Sequence, residues 1–198
     1  GLGIPAEPLF RSASCCLSLV PQRATAQRMS SPNGKLTLEQ KGDAFVVNYQ
    51  RQPVLELSVG KCPSPLVTNG SPLTVDYRML AGKRLHCTNQ ANEYRLGNVV
   101  MRLYNDGLAF RYEYTGLQGE KAPAEPTVFR IPEGTRRWMQ QWTDSYEGFF
   151  PLATSWKAKP VRGSSRSSLT AEGFNTRCGY PALLEPSDGV FALITEAN

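Results

Sequence analysis

Two apolar-rich segments on either side of Asn105-Asp106-Gly107 place the tightest constraint on what this chain can become. Val99 to Tyr104 (VVMRLY) and Leu108 to Tyr114 (LAFRYEY) are rich in β-branched and aromatic residues, which fit a pleated, half-buried surface. Asp-Gly tolerates the positive backbone dihedrals of a tight hairpin turn, so the two segments are expected to pair antiparallel. Strand side chains alternate between faces, which puts Leu108, Phe110, Tyr112 and Tyr114 on one side of the second strand and Arg111 and Glu113 on the other. One face of the hairpin is therefore core.

The rest of the chain repeats this grammar. Ser31-Pro32-Asn33-Gly34 reads as a turn, and Lys35 to Gln40 (KLTLEQ) then alternates apolar and polar residues as a half-buried strand does. Lys41-Gly42-Asp43 turns the chain into Phe45 to Tyr49 (FVVNY), and Val54 to Val59 follows, which makes a meander the simplest arrangement. Further strands are expected at Thr127 to Ile131, Arg136 to Trp142 and Val190 to Thr195. No segment of about ten residues or more combines a 3.6-residue period with helix caps. Short strands between turn signals imply a mainly β fold of two packed antiparallel sheets, a β-sandwich. The 198 residues suffice for one such domain. Ser155 to Leu169, with Lys157, Lys159, Arg162 and Arg166 among serines, reads as an exposed loop.

Composition removes several function classes. The net charge of +5 comes from scattered Lys and Arg, concentrated locally only at Arg136, Arg137 and the Arg162/Arg166 pair. A basic stripe with interleaved aromatics is missing, so no nucleic-acid partner is expected. No apolar run reaches the roughly 18 residues that a membrane span needs. The five cysteines (Cys15, Cys16, Cys62, Cys87 and Cys178) show no CxxC spacing, and His86 is the only histidine, which leaves no zinc cluster. An odd count leaves at least one thiol unpaired and no disulfide framework to read. Cys87 and Cys178 are expected as small buried apolar side chains. His86, with no Ser or Asp motif around it, is expected as a strand histidine and not a triad member. At the amino terminus, Cys15 to Val20 (CCLSLV) follows Arg11, and Ala24-Thr25-Ala26 offers a small-x-small cleavage pattern before Gln27. Residues 1–30 are accordingly a signal-peptide-like or disordered tail, residues 31–198 the domain, and the destination periplasmic or extracellular.

Five blocks carry a resemblance. Tyr77 to Leu96 (YRMLAGKRLHCTNQANEYRL), Arg102 to Tyr114 (RLYNDGLAFRYEY), Ser145 to Phe150 (SYEGFF), Ala192 to Asn198 (ALITEAN) and the opening SPNGKL at Ser31 to Leu36 resemble glycoside hydrolase family 97, in the family's order. Two places depart from that pattern. Leu57 to Val75 is shorter and richer in Pro, Gly and Cys, and Gly97-Asn98 enters the Val99 strand almost without a loop.

The resemblance implies a large amino-terminal β-super-sandwich of the galactose-mutarotase-like kind, packed on a catalytic (β/α)8 barrel and followed by a smaller carboxy-terminal β domain. It implies exo-acting α-glucosidases, which invert, or α-galactosidases, which retain, with calcium near the active site. The catalytic carboxylates belong to the barrel, so none is expected in this chain, which would stop at Asn198 where the sandwich hands over. α-Linked glucosides or galactosides would then be partners only through the full enzyme.

Glu196 matches the amino-terminal domain's glutamate that the resemblance implies as a calcium ligand; by strand pattern alone it is a charged residue ending a strand. Calcium takes about six to eight oxygens, of which one carboxylate supplies at most two, so any site would be shared with the barrel. Tyr146 and Glu147 form a second candidate, since an aromatic face stacks on pyranose C–H groups and a carboxylate accepts hydroxyl hydrogen bonds. The competing assignment for them is a packed loop at a domain interface. Hydrolysis by the chain itself would need a carboxylate pair drawn from Glu147, Glu172, Glu185 and Glu196. A free-standing carbohydrate-binding module is the alternative function.

Overall fold

The meander predicted around FVVNY forms the first of three antiparallel sheets. The computed structural model describes residues 28–61, 70–116, 121, 123–141, 150, 152–153 and 178–196. In chain order the strands are β1 (Arg28–Ser30), β2 (Leu36–Lys41), β3 (Ala44–Tyr49), β4 (Gln52–Ser58), β5 (Ser71–Arg78), β6 (His86–Leu96), β7 (Val99–Tyr104), β8 (Leu108–Tyr112), β9 (Val128–Arg130), β10 (Arg136–Gln141), β11 (Leu152–Ala153), β12 (Cys178–Ser187) and β13 (Val190–Ile194). Among the described residues there is no helix. The first sheet runs β1-β2-β3-β4-β9, the second β5-β6-β7-β8 and the third β11-β10-β12-β13. The first sheet begins upstream of Ser31, because Arg28, Met29 and Ser30 pair with Glu39, Leu38 and Thr37.

Register decides which side chains meet. In the first sheet Leu38 opposes Val47, and Phe45 opposes Leu57. In the second, Tyr94 opposes Met101, which opposes Phe110, and Leu103 opposes Leu108. These two faces close on one another as a β-sandwich, with Leu184 of the third sheet in the same cluster and Ala192 and Ile194 packed against it. Leu38, Phe45, Leu57, Met101, Leu103 and Leu184 have 0% exposure, so the shared core is sealed. Leu108, Phe110 and Tyr112 pack against it as their alternation predicts. On the opposite face Arg95 and Arg111 both bind Glu113 (2.9 and 2.6 Å), and Arg102 binds Glu93 at 2.8 Å. The Arg95 and Arg111 pairs with Glu113 are exposed and add little net stability, the Arg102–Glu93 pair is half-buried, and together they solvate the outer face.

Polar bonds close the edge of the sandwich. The Tyr94 hydroxyl accepts from the Ser30 N–H at 3.0 Å and donates to the Ser30 carbonyl at 2.9 Å, where Asn92 Nδ2 also donates at 2.9 Å. The Tyr94 ring lies so close to Gly70 that a Cβ there would stand 2.6 Å from it.

The central hairpin forms, but its turn differs from the expected one. Leu103 and Leu108 are the last pair, and the four residues between them close through Tyr104 N–H to the Gly107 carbonyl at 2.8 Å. Gly107 has no left-handed backbone, since a longer loop reverses the chain without one. The positive dihedral sits instead at Gly97 (φ 62°), first of two central residues joining β6 to β7, as a type II′ turn requires. The near-loopless entry into Val99 is thus a tight hairpin with six register pairs. Cys87 is half-buried with a free thiol, not a buried apolar filler, and its neighbour His86 is exposed on β6.

Five strands lay outside the sequence-based expectations: β1, β5, β6, β11 and β12. β12 contains Pro181 and Pro186 yet lies between two partners, where a missing N–H normally breaks the ladder. The ladder is irregular at both. The β10–β12 register shifts between Met139 and Gln141, opposite the Pro181 region, and the β12–β13 register shifts between Leu184 and Ser187, around Pro186.

Candidate functional site

The third sheet buries one face and leaves the other open. Its inward row includes Arg137, Leu184 and Ala192, with Ala153 at the edge. One residue along, Leu152 opposes Trp138, Trp138 opposes Leu183, and Leu183 opposes Leu193. A single apolar row therefore crosses all four strands on the outward face. Phe191 (59% exposed) and Leu193 (61%) stand in solvent on β13, and Leu152 and Phe150 are also exposed. Trp138 and Phe191 approach with ring centroids 6.4 Å apart, and the Arg136 guanidinium lies 5.3 Å from the Trp138 ring.

These side chains frame a shallow apolar depression of ≈ 300 Å³ lined by Trp138, Phe150, Pro181, Leu183 and Leu193. None of the five lining residues carries a charge. A sugar site needs convergent donors and acceptors for hydroxyl groups, whereas a wall of this kind suits another protein surface. Soluble monomers seldom leave a contiguous apolar face uncovered unless something binds it.

Glu196 lies two residues past the end of β13 and is exposed. The Tyr180 phenol is pushed above its ordinary value by partial burial first, and then by the negative charges of Glu196 and Glu125. The β12–β13 register sets the end of β13, with Glu196 just beyond it, beside the start of β12 where Tyr180 lies. Among the described residues no group of three or more His, Cys, Asp or Glu side chains converges as a metal cage. As a single carboxylate Glu196 offers at most two oxygens, and the described residues around it form no metal cage.

Of the other candidate carboxylates, Glu185 is buried and engaged: Arg136 pairs with Oε2 at 2.8 Å, and the Gly189 N–H donates to Oε1 at 3.2 Å. It clamps the β12–β13 hairpin and is not free for acid–base work. Tyr146, Glu147 and Glu172 lie outside the described residues, as do the signal-like segment up to Gln27, Cys15, Cys16, Cys62 and the polar stretch Ser155 to Leu169. The outward row of the third sheet escaped the sequence-based expectations. Its signal was present in Val190 to Thr195 (VFALIT), a continuous apolar run without the alternation of a strand that faces water on one side. No described helix is long and apolar enough to cross a membrane.

Residues 29–198 match the family described as Glycosyl-hydrolase 97 N-terminal. No curated protein matches the chain.

Proposed function

Because this chain belongs to the glycoside hydrolase family 97 amino-terminal domain family, we propose that it serves as the non-catalytic domain of an exported, calcium-dependent, exo-acting α-glycosidase. The enzyme acts on α-linked glucosides or galactosides, and its cleaving carboxylates lie in a (β/α)8 barrel. This domain supports that barrel from outside and contributes one ligand, Glu196, to a calcium site that the barrel completes.

The observation that carries this reading is the apolar row Leu152, Trp138, Leu183 and Leu193, turned to solvent on the sheet that Glu196 follows. An apolar face that crosses a whole sheet calls for a partner that removes it from water. A barrel docked there would lie beside Glu196, so one packing event would both cover the face and deliver the carboxylate. Calcium, when bound, would supply a fixed positive charge near the sugar. The chain's own contribution is to hold one oxygen donor at the edge of a rigid sheet.

The half-buried Trp138 beside the exposed Phe191 favours the second reading, a free-standing carbohydrate-binding module, because paired aromatic rings can stack on pyranoses. The indole N–H of Trp138 is the one hydrogen-bonding side-chain group among the five lining residues of the depression, too few for a sugar's hydroxyls, which weighs against it.

Two measurements separate the readings. In the full enzyme, Glu196→Gln is expected to weaken calcium binding, as read by isothermal titration with the chelated and reloaded protein; unchanged affinity would remove the ligand assignment. With this chain alone, titration with maltose and with α-galactosides is expected to show no saturable binding. Saturable binding abolished by Trp138→Ala would establish the module instead.

A further inference from the structure

The three sheets have six edge strands among the described residues, and five of them are short: β1, β9, β11, β13 and β8 have 3, 3, 2, 5 and 5 residues. The sixth, β5, has 8. A long edge presents a row of unpaired backbone donors and acceptors, and proteins ordinarily shorten, charge or cover such edges. Among the described residues no strand pairs with the outer side of β5.

The half of β5 nearest its end is further isolated. β7 pairs with β6 only from Ala91 to Leu96, so the pairs Thr74–Gln90, Val75–Asn89, Asp76–Thr88, Tyr77–Cys87 and Arg78–His86 form a two-stranded ribbon beyond the sheet. Val75, Tyr77 and Met79 share one side of it and are each about two-fifths exposed, at 42%, 42% and 41%. Two-stranded ribbons are marginal in water unless something packs on them.

We propose that two copies of this chain pair antiparallel through β5 about a two-fold axis centred on Tyr77. Charge selects this register. A two-fold axis normal to the sheet requires that opposed residues lie on the same face, so the register moves only in steps that place one residue opposite its own copy. Centres at Val75 or earlier bring Pro72, which has no N–H, into the ladder, which leaves Asp76, Tyr77 and Arg78. Centring on Asp76 opposes two carboxylates, and centring on Arg78 opposes two guanidinium groups. Centring on Tyr77 sets Asp76 against the other copy's Arg78 twice over, sets Val75 against Met79 twice, and brings the two Tyr77 rings together. Opposite charges and apolar pairs directly across strands are the favourable combinations, and like charges the unfavourable one. Asp76 Oδ1 already accepts from Thr88 Oγ1 at 2.5 Å, which leaves its second oxygen for the arginine. The partner is a second copy because the strand is complementary to itself.

The test is a charge swap followed by light scattering on size-exclusion eluates and by sedimentation equilibrium of the full chain, with far-ultraviolet circular dichroism as the check on folding. The wild-type chain is expected to run as a dimer. Asp76→Arg alone and Arg78→Asp alone each convert both cross-strand ion pairs into like-charge pairs, and each is expected to weaken the dimer roughly tenfold or more. Asp76→Arg combined with Arg78→Asp restores opposite charges and is expected to recover the dimer. A monomeric wild-type chain overturns the proposal. So does a double variant that stays as weak as the singles while keeping the wild-type dichroism spectrum.

Discussion

The molecule contains two apolar surfaces of similar composition and opposite fate. Between the first and second sheets, Leu38, Phe45, Leu57, Met101 and Leu103 meet with no exposure, and Tyr94 with its bonds to Ser30 closes the edge. On the outer side of the third sheet, Leu152, Trp138, Leu183 and Leu193 line up just as regularly, with Phe191 and Leu193 more than half in solvent. The difference teaches that apolar patterning alone does not separate residues that seal a core from residues that stay open to solvent. What separates them is whether the chain supplies an opposing layer.

Substitutions can break that comparison or sharpen it. The largest effect belongs to the sealed face: Phe45→Ala is expected to lower unfolding free energy by about 3–5 kcal/mol through lost burial and a residual cavity, read from urea unfolding. Leu193→Asp on the open face is expected to change the same quantity by no more than about 0.5 kcal/mol. Comparable losses from the two would mean that the open face is core after all. If the proposed docking holds, the same Leu193→Asp change in the whole enzyme is expected to loosen the contact between this domain and the barrel, read as faster limited proteolysis between them.

A smaller effect tests the latch at the sandwich edge. Tyr94→Phe removes one donor and one acceptor at Ser30 and is expected to cost about 1 kcal/mol, again by urea unfolding. The smallest effect lies on the solvated face of the second sheet. The hydrogen bond from Arg102 holds the Glu93 carboxyl below its ordinary range, with the charges of Arg102, Arg95 and Arg111 adding to it and partial desolvation opposing. A carboxyl whose folded pKa is depressed stabilises the fold fully above its unfolded pKa, and that contribution disappears as pH falls through the lowered folded value. Glu93→Gln is therefore expected to flatten the acid limb of stability against pH slightly while leaving the unfolding midpoint less sensitive to salt.

Much of the sandwich was legible because its strands alternate. β2, β3 and the β7–β8 hairpin announce themselves through residues such as Leu36, Leu38, Phe45, Val47, Phe110 and Tyr112, whose spacing matches the pleat. β6 was not legible, because its first half, His86 to Gln90, is polar and becomes strand through its pairing with β5 and not through its own propensity. β12 was hidden by its two prolines, which argue against a central strand until the register breaks are seen. Glu196 was singled out only by family resemblance, since one exposed glutamate after a strand has no signature of its own. The outward row could not be assembled from sequence, because its members come from four segments whose phase depends on pairing.

That phase has a guardian in β12. Pro181 and Pro186 each lack the proton that a neighbouring strand would require at a bonded position, and both fall where the ladders to β10 and β13 already lose step. Sliding β12 by one residue pair would carry a proline into a bonded position and cost a hydrogen bond on one side or the other. The segment between the two prolines works as a ruler of fixed length: it cannot be shortened, lengthened or shifted without loss, and Leu183 is one of its graduations. Single insertions or deletions between the prolines should thus do more harm than substitutions at outward positions such as Leu183, whereas Ala182, Leu184 and Glu185 are held by their burial as well.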